Sequence, residues 1–259
     1  MITIIFGPPR IGKTAFMVYQ LNERAFDYER NLAMQETIFF KNQNGFNLTI
    51  PEHCVSANFD ITFEQDGYSP RKARLIDPKK LGFSSKKKER HFLLPYETIG
   101  IMEAQEFYNS RKYKEFDLCQ SAIFEQHGHN HIDFLLDCQR PGLIDLNIRE
   151  LSNFVEIRSL DVKYDKKMWF ESMTWTVRVF DNAFALDSYM RSGKKNSNFY
   201  EELQITSNYN VLDLYNSWSL EPKFYAGHFD NDFDLQYGLS FGPTKDDYIQ
   251  YLKDIGEVL

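Results

Sequence analysis

Apolar positions along the chain gather into short runs, each followed by a polar turn. Ile2 to Phe6 is a β-branched run of the kind carried by a strand buried on both faces. Gly7 to Gly12 reads as a turn. From Lys13 to about Arg30 the residues Ala15, Phe16, Val18, Tyr19, Leu21, Ala25 and Phe26 recur at helical spacing and predict an amphipathic helix. Further strands are predicted at Cys54–Phe63 (CVSANFDITF), Tyr96–Met102 (YETIGIM) and His131–Cys138 (HIDFLLDC), and a helix at Lys114–Glu125. Strands alternating with helices imply an α/β protein with a mostly parallel central sheet.

Two stretches break this rhythm. Glu64–Phe92 holds Gly67, Pro70, Pro78, Gly82 and a lysine run, and reads as an exposed insert. After Leu151, FVEIRSLDVKYDKKMWFESMTWTVRVFD alternates in the β manner. It predicts two or three antiparallel strands around the turn at YDKK. Beyond Asp181 the chain is polar and acidic with little period, and reads as an irregular extension packed on the core. The expected division is a core over 1–160 with the basic insert 64–92, a β segment over 161–180 packed on that core, and an acidic extension over 181–259.

The 259 residues suit one large domain, or a core plus an extension. No apolar run reaches the ~18 residues that would span a bilayer, and the N-terminal run lacks the basic flank of a signal peptide. Cys54, Cys119 and Cys138 form no CxxC pair, which suits reduced thiols. The expected location is the cytoplasm. A net charge of −7 argues against a protein that coats nucleic acid over its whole surface. The charge is uneven, however. Arg71–Arg90 carries nine Lys/Arg against two acids (Asp77, Glu89), whereas 181–259 carries six against thirteen. Such asymmetry steers an anionic partner to one face.

Between the first strand and helix stands Gly7-Pro8-Pro9-Arg10-Ile11-Gly12-Lys13-Thr14, which matches GxxxxGK[ST] and runs on into Ala15. Loop and helix N–H groups in such a turn face phosphate oxygens. Lys13 brings a mobile charge to the β- and γ-phosphates of ATP. The Thr14 hydroxyl is placed for Mg²⁺. A second site belongs at the end of a neighbouring strand. There Glu103 is the candidate general base or water-orienting group. The residue before it, where a metal-side Asp is expected, is Met102, and a thioether does not replace a carboxylate toward a hard cation. Gln139, leaving the third strand, is a candidate γ-phosphate sensor. Arg149 is a candidate arginine finger toward a neighbouring subunit. These residues leave three readings open: an ATPase, a P-loop kinase for a small metabolite, and a nucleotide-gated scaffold without turnover.

Taken together, four segments resemble the Zot family, the zonular occludens toxin-like proteins and assembly ATPases of filamentous phages. They are FGPPRIGKT, VSANFDI, IGIMEAQEFYNSR and IFEQHGHNHIDFLLDCQRPGLIDLNIREL, with a fainter echo at VLDLYNSW. The resemblance spans about residues 1–180 and, more weakly, 210–218. It implies a three-layer P-loop NTPase that drives phage DNA export, packaging or virion assembly, as a homo-oligomeric ring acting with single-stranded DNA and with other assembly or membrane proteins. It carries nucleotide binding to Lys13 and Thr14, hydrolysis to Glu103 and phosphate sensing to Gln139. Two departures stand out: Met102 replaces the family's Asp, and no apolar span follows the ATPase part. Contact with the inner membrane would then run through a partner.

The basic insert offers Arg71, Lys72, Arg74, Lys86, Lys87 and Lys88 as candidate contacts to a DNA backbone, with Tyr68, Phe83 and Phe92 beside them to stack on bases. HGHNH would present His127, His129 and His131 on one strand face, but no fourth metal ligand is near. DNDFD (Asp230–Asp234) lacks the glycine and glutamate of a calcium loop.

Overall fold

The computed structural model describes residues 1–45, 48–81, 93–111, 118–167 and 169–215. In chain order the elements are β1 (Ile2–Phe6), α1 (Lys13–Ala25), α2 (Tyr28–Gln43), β2 (Val55–Ala57), β3 (Thr62–Phe63), β4 (Arg71–Lys72), β5 (Arg74–Leu75), β6 (Thr98–Ile101), α3 (Leu118–Gln126), β7 (Asp133–Cys138), α4 (Leu146–Glu150), β8 (Ser152–Tyr164), β9 (Phe170–Phe180), α5 (Ala183–Arg191) and β10 (Glu201–Ser207). Short 3₁₀ turns lie between several of them.

Eight strands form one sheet in the order β10-β9-β8-β1-β7-β6-β2-β5. From β8 across to β5 every pairing is parallel, while β8, β9 and β10 form an antiparallel meander on the other side. β1 lies in the middle, which is why all five of its residues are buried and apolar or β-branched. Its alternating side chains feed two cores. Ile5 meets Phe16, Met17 and Leu21 of α1, together with Val155, Trp175 and Val177. Ile2, Ile4 and Phe6 meet Phe134, Leu136 and Phe180, beneath Ile123 and Phe124 of α3, Ile148 of α4 and Leu186 of α5. Helices on both faces of a mostly parallel sheet make the predicted three-layer α/β architecture.

The structure corrects several element boundaries. The first helix stops at Ala25 rather than Arg30. Asp27 caps a second helix there, its carboxylate accepting from the Arg30 N–H at 3.1 Å. CVSANFDITF is not one strand: β2 ends at Ala57, and β3 pairs with β4 in a separate two-stranded sheet. The insert is not uniformly exposed, because β5 returns to the edge of the main sheet beside β2. The hairpin around YDKK forms as β8 and β9, but β8 also pairs with β1 and runs without a break through position 160. Residues 182–215, expected as irregular chain, instead contain a helix and a strand. Asn182 caps α5, accepting from the Ala185 N–H at 2.9 Å, and β10 adds the third antiparallel strand. Residues 216–259, with DNDFD, lie outside the described residues.

Edge strand β5 is held by a buried ion pair. Arg74 approaches Glu97 at 3.2 Å, and the Glu97 carboxylate also accepts from the Leu94 N–H at 2.7 Å and from the Ser56 hydroxyl. Burial raises the Glu97 pKa, with Arg74 and Ser56 opposing that rise. Replacing Arg74 with alanine leaves this fully buried acid without its cation. The expected loss of stability is about 3 kcal/mol, read by urea denaturation. A loss below about 1 kcal/mol, the range of exposed pairs, would show the pair to be dispensable.

Candidate functional site

The loop Gly7–Gly12 leaves the C-terminal end of β1 and turns directly into α1. Its glycines pack closely against β8. A Cβ on Gly7 would meet the Ile157 carbonyl at 2.9 Å, and one on Gly12 would meet Leu160 Cδ2 at 2.6 Å. Gly12 also has φ of 86°, in the left-handed region that favours glycine. Trp175 of β9 donates its indole N–H to the Gly12 carbonyl at 3.3 Å, tying the antiparallel hairpin to the loop. No side chain caps the N-terminus of α1, so its first N–H groups are available to an anion.

Lys13 is only 7% exposed, and its ammonium donates to the Pro8 carbonyl at 3.2 Å, folding back over the loop. The Thr14 hydroxyl donates to Asp137 Oδ2 at 2.6 Å. Asp137 lies on β7, level with Ile5 of β1, and is almost completely buried. Burial pushes its carboxyl up to about 6, and Glu103 adds to the rise; the Thr14 hydrogen bond and Lys13 pull the other way. Its second oxygen, Oδ1, is buried with no hydrogen-bond partner among the described residues. This acid escaped the sequence reading, which took HIDFLLDC as core strand alone. The available signal was a carboxylate inside the otherwise apolar stretch Phe134–Cys138, two residues before Gln139.

β6 ends at Ile101, and Met102 turns into the α1 core at 3% exposure. Asn58, the asparagine of VSANFDI, clasps the main chain there. It accepts from the Met102 N–H at 2.8 Å and donates to the Met102 carbonyl at 3.1 Å. The chain then swings at Glu103, whose φ of 50° lies in the left-handed region that a non-glycine residue seldom adopts. The Gln105 side-chain amide donates to Glu103 Oε2, while its own Oε1 is buried without a partner among the described residues.

Gln139 is exposed immediately after β7, one step beyond the Phe6–Cys138 pairing and so level with Gly7. Glu103, Asp137, Lys13, Thr14 and Gln139 thus gather at the C-terminal end of the parallel strands, where such sheets bind ligands. Arg149 sits in the last turn of α4, its buried Nε without a partner among the described residues. Thr14 and Asp137 supply hard oxygen donors, and the orphaned Asp137 oxygen fits Mg²⁺; the Met102 thioether does not.

The proposed DNA contacts fare differently. Arg74 is buried on Glu97 and belongs to the core rather than to an exposed basic face. Arg71 donates to the Ala25 carbonyl at 2.6 Å and lies over the Phe26 ring at 4.6 Å. Lys72 is half-buried on β4, and Lys86, Lys87 and Lys88 lie outside the described residues. The histidines do not share a strand face, since His127–Asn130 is a 3₁₀ turn. No cluster of three or more His, Cys, Asp or Glu able to hold a metal ion occurs among the described residues. None of their helices is long and apolar enough to cross a membrane.

No protein-family profile and no curated protein matches the chain. Two solved structures are similar to it. The genome packaging NTPase B204 from Sulfolobus turreted icosahedral virus 2, in complex with ATP-gammaS, is 10% identical, with 82% of this chain and 93% of that one covered and a TM-score of 0.34. The N-terminal domain of zonular occludens toxin from Neisseria meningitidis is 20% identical, with 83% of this chain and 98% of that one covered and a TM-score of 0.47. The second bears the name of the family that the sequence motifs resemble.

Proposed function

We propose that the chain is a P-loop ATPase that couples ATP hydrolysis to phage DNA export, packaging or virion assembly. The observation that carries the ATPase part is the contact of Thr14 with buried Asp137 directly beneath the glycine loop. In this reading Lys13 leaves the Pro8 carbonyl for the β- and γ-phosphate oxygens of ATP. The free N–H groups of α1 and the loop hold the phosphates in place. Glu103 orients the attacking water and takes up its proton, and Gln139 registers the γ-phosphate. Mg²⁺, held on the Thr14 side, would neutralise charge on the phosphates.

The DNA part rests on the motif resemblance and on the lysines and arginines that the sequence places between Arg71 and Arg90, Arg74 excepted. A ring of subunits would let Arg149 reach a neighbour's nucleotide. The test is steady-state ATP hydrolysis with Mg²⁺, with and without single-stranded DNA. Turnover that rises with DNA supports the motor. Tight ATP binding with no turnover under either condition overturns it in favour of a nucleotide-gated scaffold. That second reading draws on Met102 and on the Gln105 amide that occupies Glu103.

A further inference from the structure

We propose that Asp137 carries the metal-side role left vacant at position 102. The inference rests on the ATPase reading above and assigns one further residue to its site. The argument begins with the parity of β7. Phe134, Leu136 and Cys138 point into the core beneath α3 and α4, whereas Leu135 points into the core beneath α1. Successive strand residues alternate faces, so Asp137 shares the α1 side with Leu135. Met102 lies on that side as well.

The pairing of Ile101 with Leu136 sets position 102 level with 137 on the next strand. The two positions are therefore neighbours on one face of the sheet. Asp137 is the nearer to the loop by a strand spacing of about 4.8 Å, because β7 pairs directly with β1. A carboxylate moved from one strand to the next still faces the first turn of α1, and the 2.6 Å contact with Thr14 shows that it reaches it.

A purely structural acid explains the arrangement poorly. A carboxylate this deeply buried is costly unless its oxygens are satisfied. Thr14 satisfies one oxygen, while Oδ1 has no partner among the described residues. Divalent magnesium at P-loops takes one or two carboxylates besides phosphate and water. A single Asp bonded to the Thr14 hydroxyl supplies that, directly or through a bound water.

The experiment compares the affinity of a fluorescent ATPγS analogue in Mg²⁺ with its affinity in EDTA, and follows Mn²⁺ binding with the nucleotide by electron paramagnetic resonance. The wild-type chain should bind more tightly with Mg²⁺. Asp137→Asn keeps the size of the side chain and a hydrogen bond to Thr14. It should bind the nucleotide in EDTA at least as well as wild type and lose roughly tenfold or more of the metal enhancement, together with the nucleotide-dependent Mn²⁺ signal. Adding Met102→Asp to that variant should restore part of both. If melting shows that Asp137→Asn does not fold, Asp137→Ser serves in its place. A metal enhancement unchanged in the Asp137 variants overturns the assignment, as does a wild-type chain that binds nucleotide equally well with and without Mg²⁺. A wild-type chain that binds no nucleotide at all overturns the ATPase reading itself, and the assignment falls with it.

Discussion

Alanine in place of Lys13 is expected to reduce nucleotide affinity by about a hundredfold and to remove turnover. The physical reason is the confined setting of the ammonium. It is buried at the mouth of the loop, with one neutral carbonyl as its hydrogen-bond partner. Exchanging that carbonyl for phosphate oxygens converts a weak contact into charge-assisted ones. Truncating one member of a buried charged pair costs about 3 kcal/mol, which is the hundredfold. Stability should change little, because the hydrogen bond given up among the described residues is a neutral-acceptor contact of 3.2 Å to Pro8. Isothermal titration with ATPγS, beside a melting curve, separates the two effects. A variant that binds as tightly as the wild type would remove the loop from nucleotide recognition.

Glu103→Gln should leave ATP binding nearly intact and lower the rate of hydrolysis by about 10² to 10⁴, the usual range for loss of a positioned general base. The backbone supports this specificity. Asn58 fixes both main-chain groups of Met102, so the left-handed turn at Glu103 starts from a rigid platform. Strain of this kind persists where the surroundings impose it. Glutamine keeps that geometry and removes only the basic oxygen. Single-turnover hydrolysis of pre-bound ATP measures the chemical step alone. An unchanged rate would strike Glu103 from the mechanism and leave Asp137 as the acid to test next.

The strand–loop–helix that carries the glycine loop was legible in the amino-acid order because all its parts are consecutive. Ile2–Phe6, the two glycines, Lys13 and Thr14 need only local geometry to come together, and the apolar stripe of α1 announces the helix that follows. The same holds for β6, β7 and the hairpin around YDKK, whose period-2 or fully apolar patterns reflect how they are buried. α2 went unseen because its buried positions, Asn31, Met34 and Ile38, make too thin a stripe to stand out. β10 went unseen because it lies at a sheet edge, with mostly exposed residues. The run of basic residues after Arg71 read as one exposed surface, since composition does not record that Arg74 faces Glu97 across the sheet.

Asp137 marks the boundary most sharply. It is 123 residues from Thr14 in the chain. Its meeting with Thr14 depends on which strand lies beside β1, on the register of that pairing and on which face residue 137 occupies. None of these is a property of a local segment. Local order therefore determined that this chain holds a strand, a glycine loop and a helix in succession, and tertiary pairing alone decided which acid stands beside them.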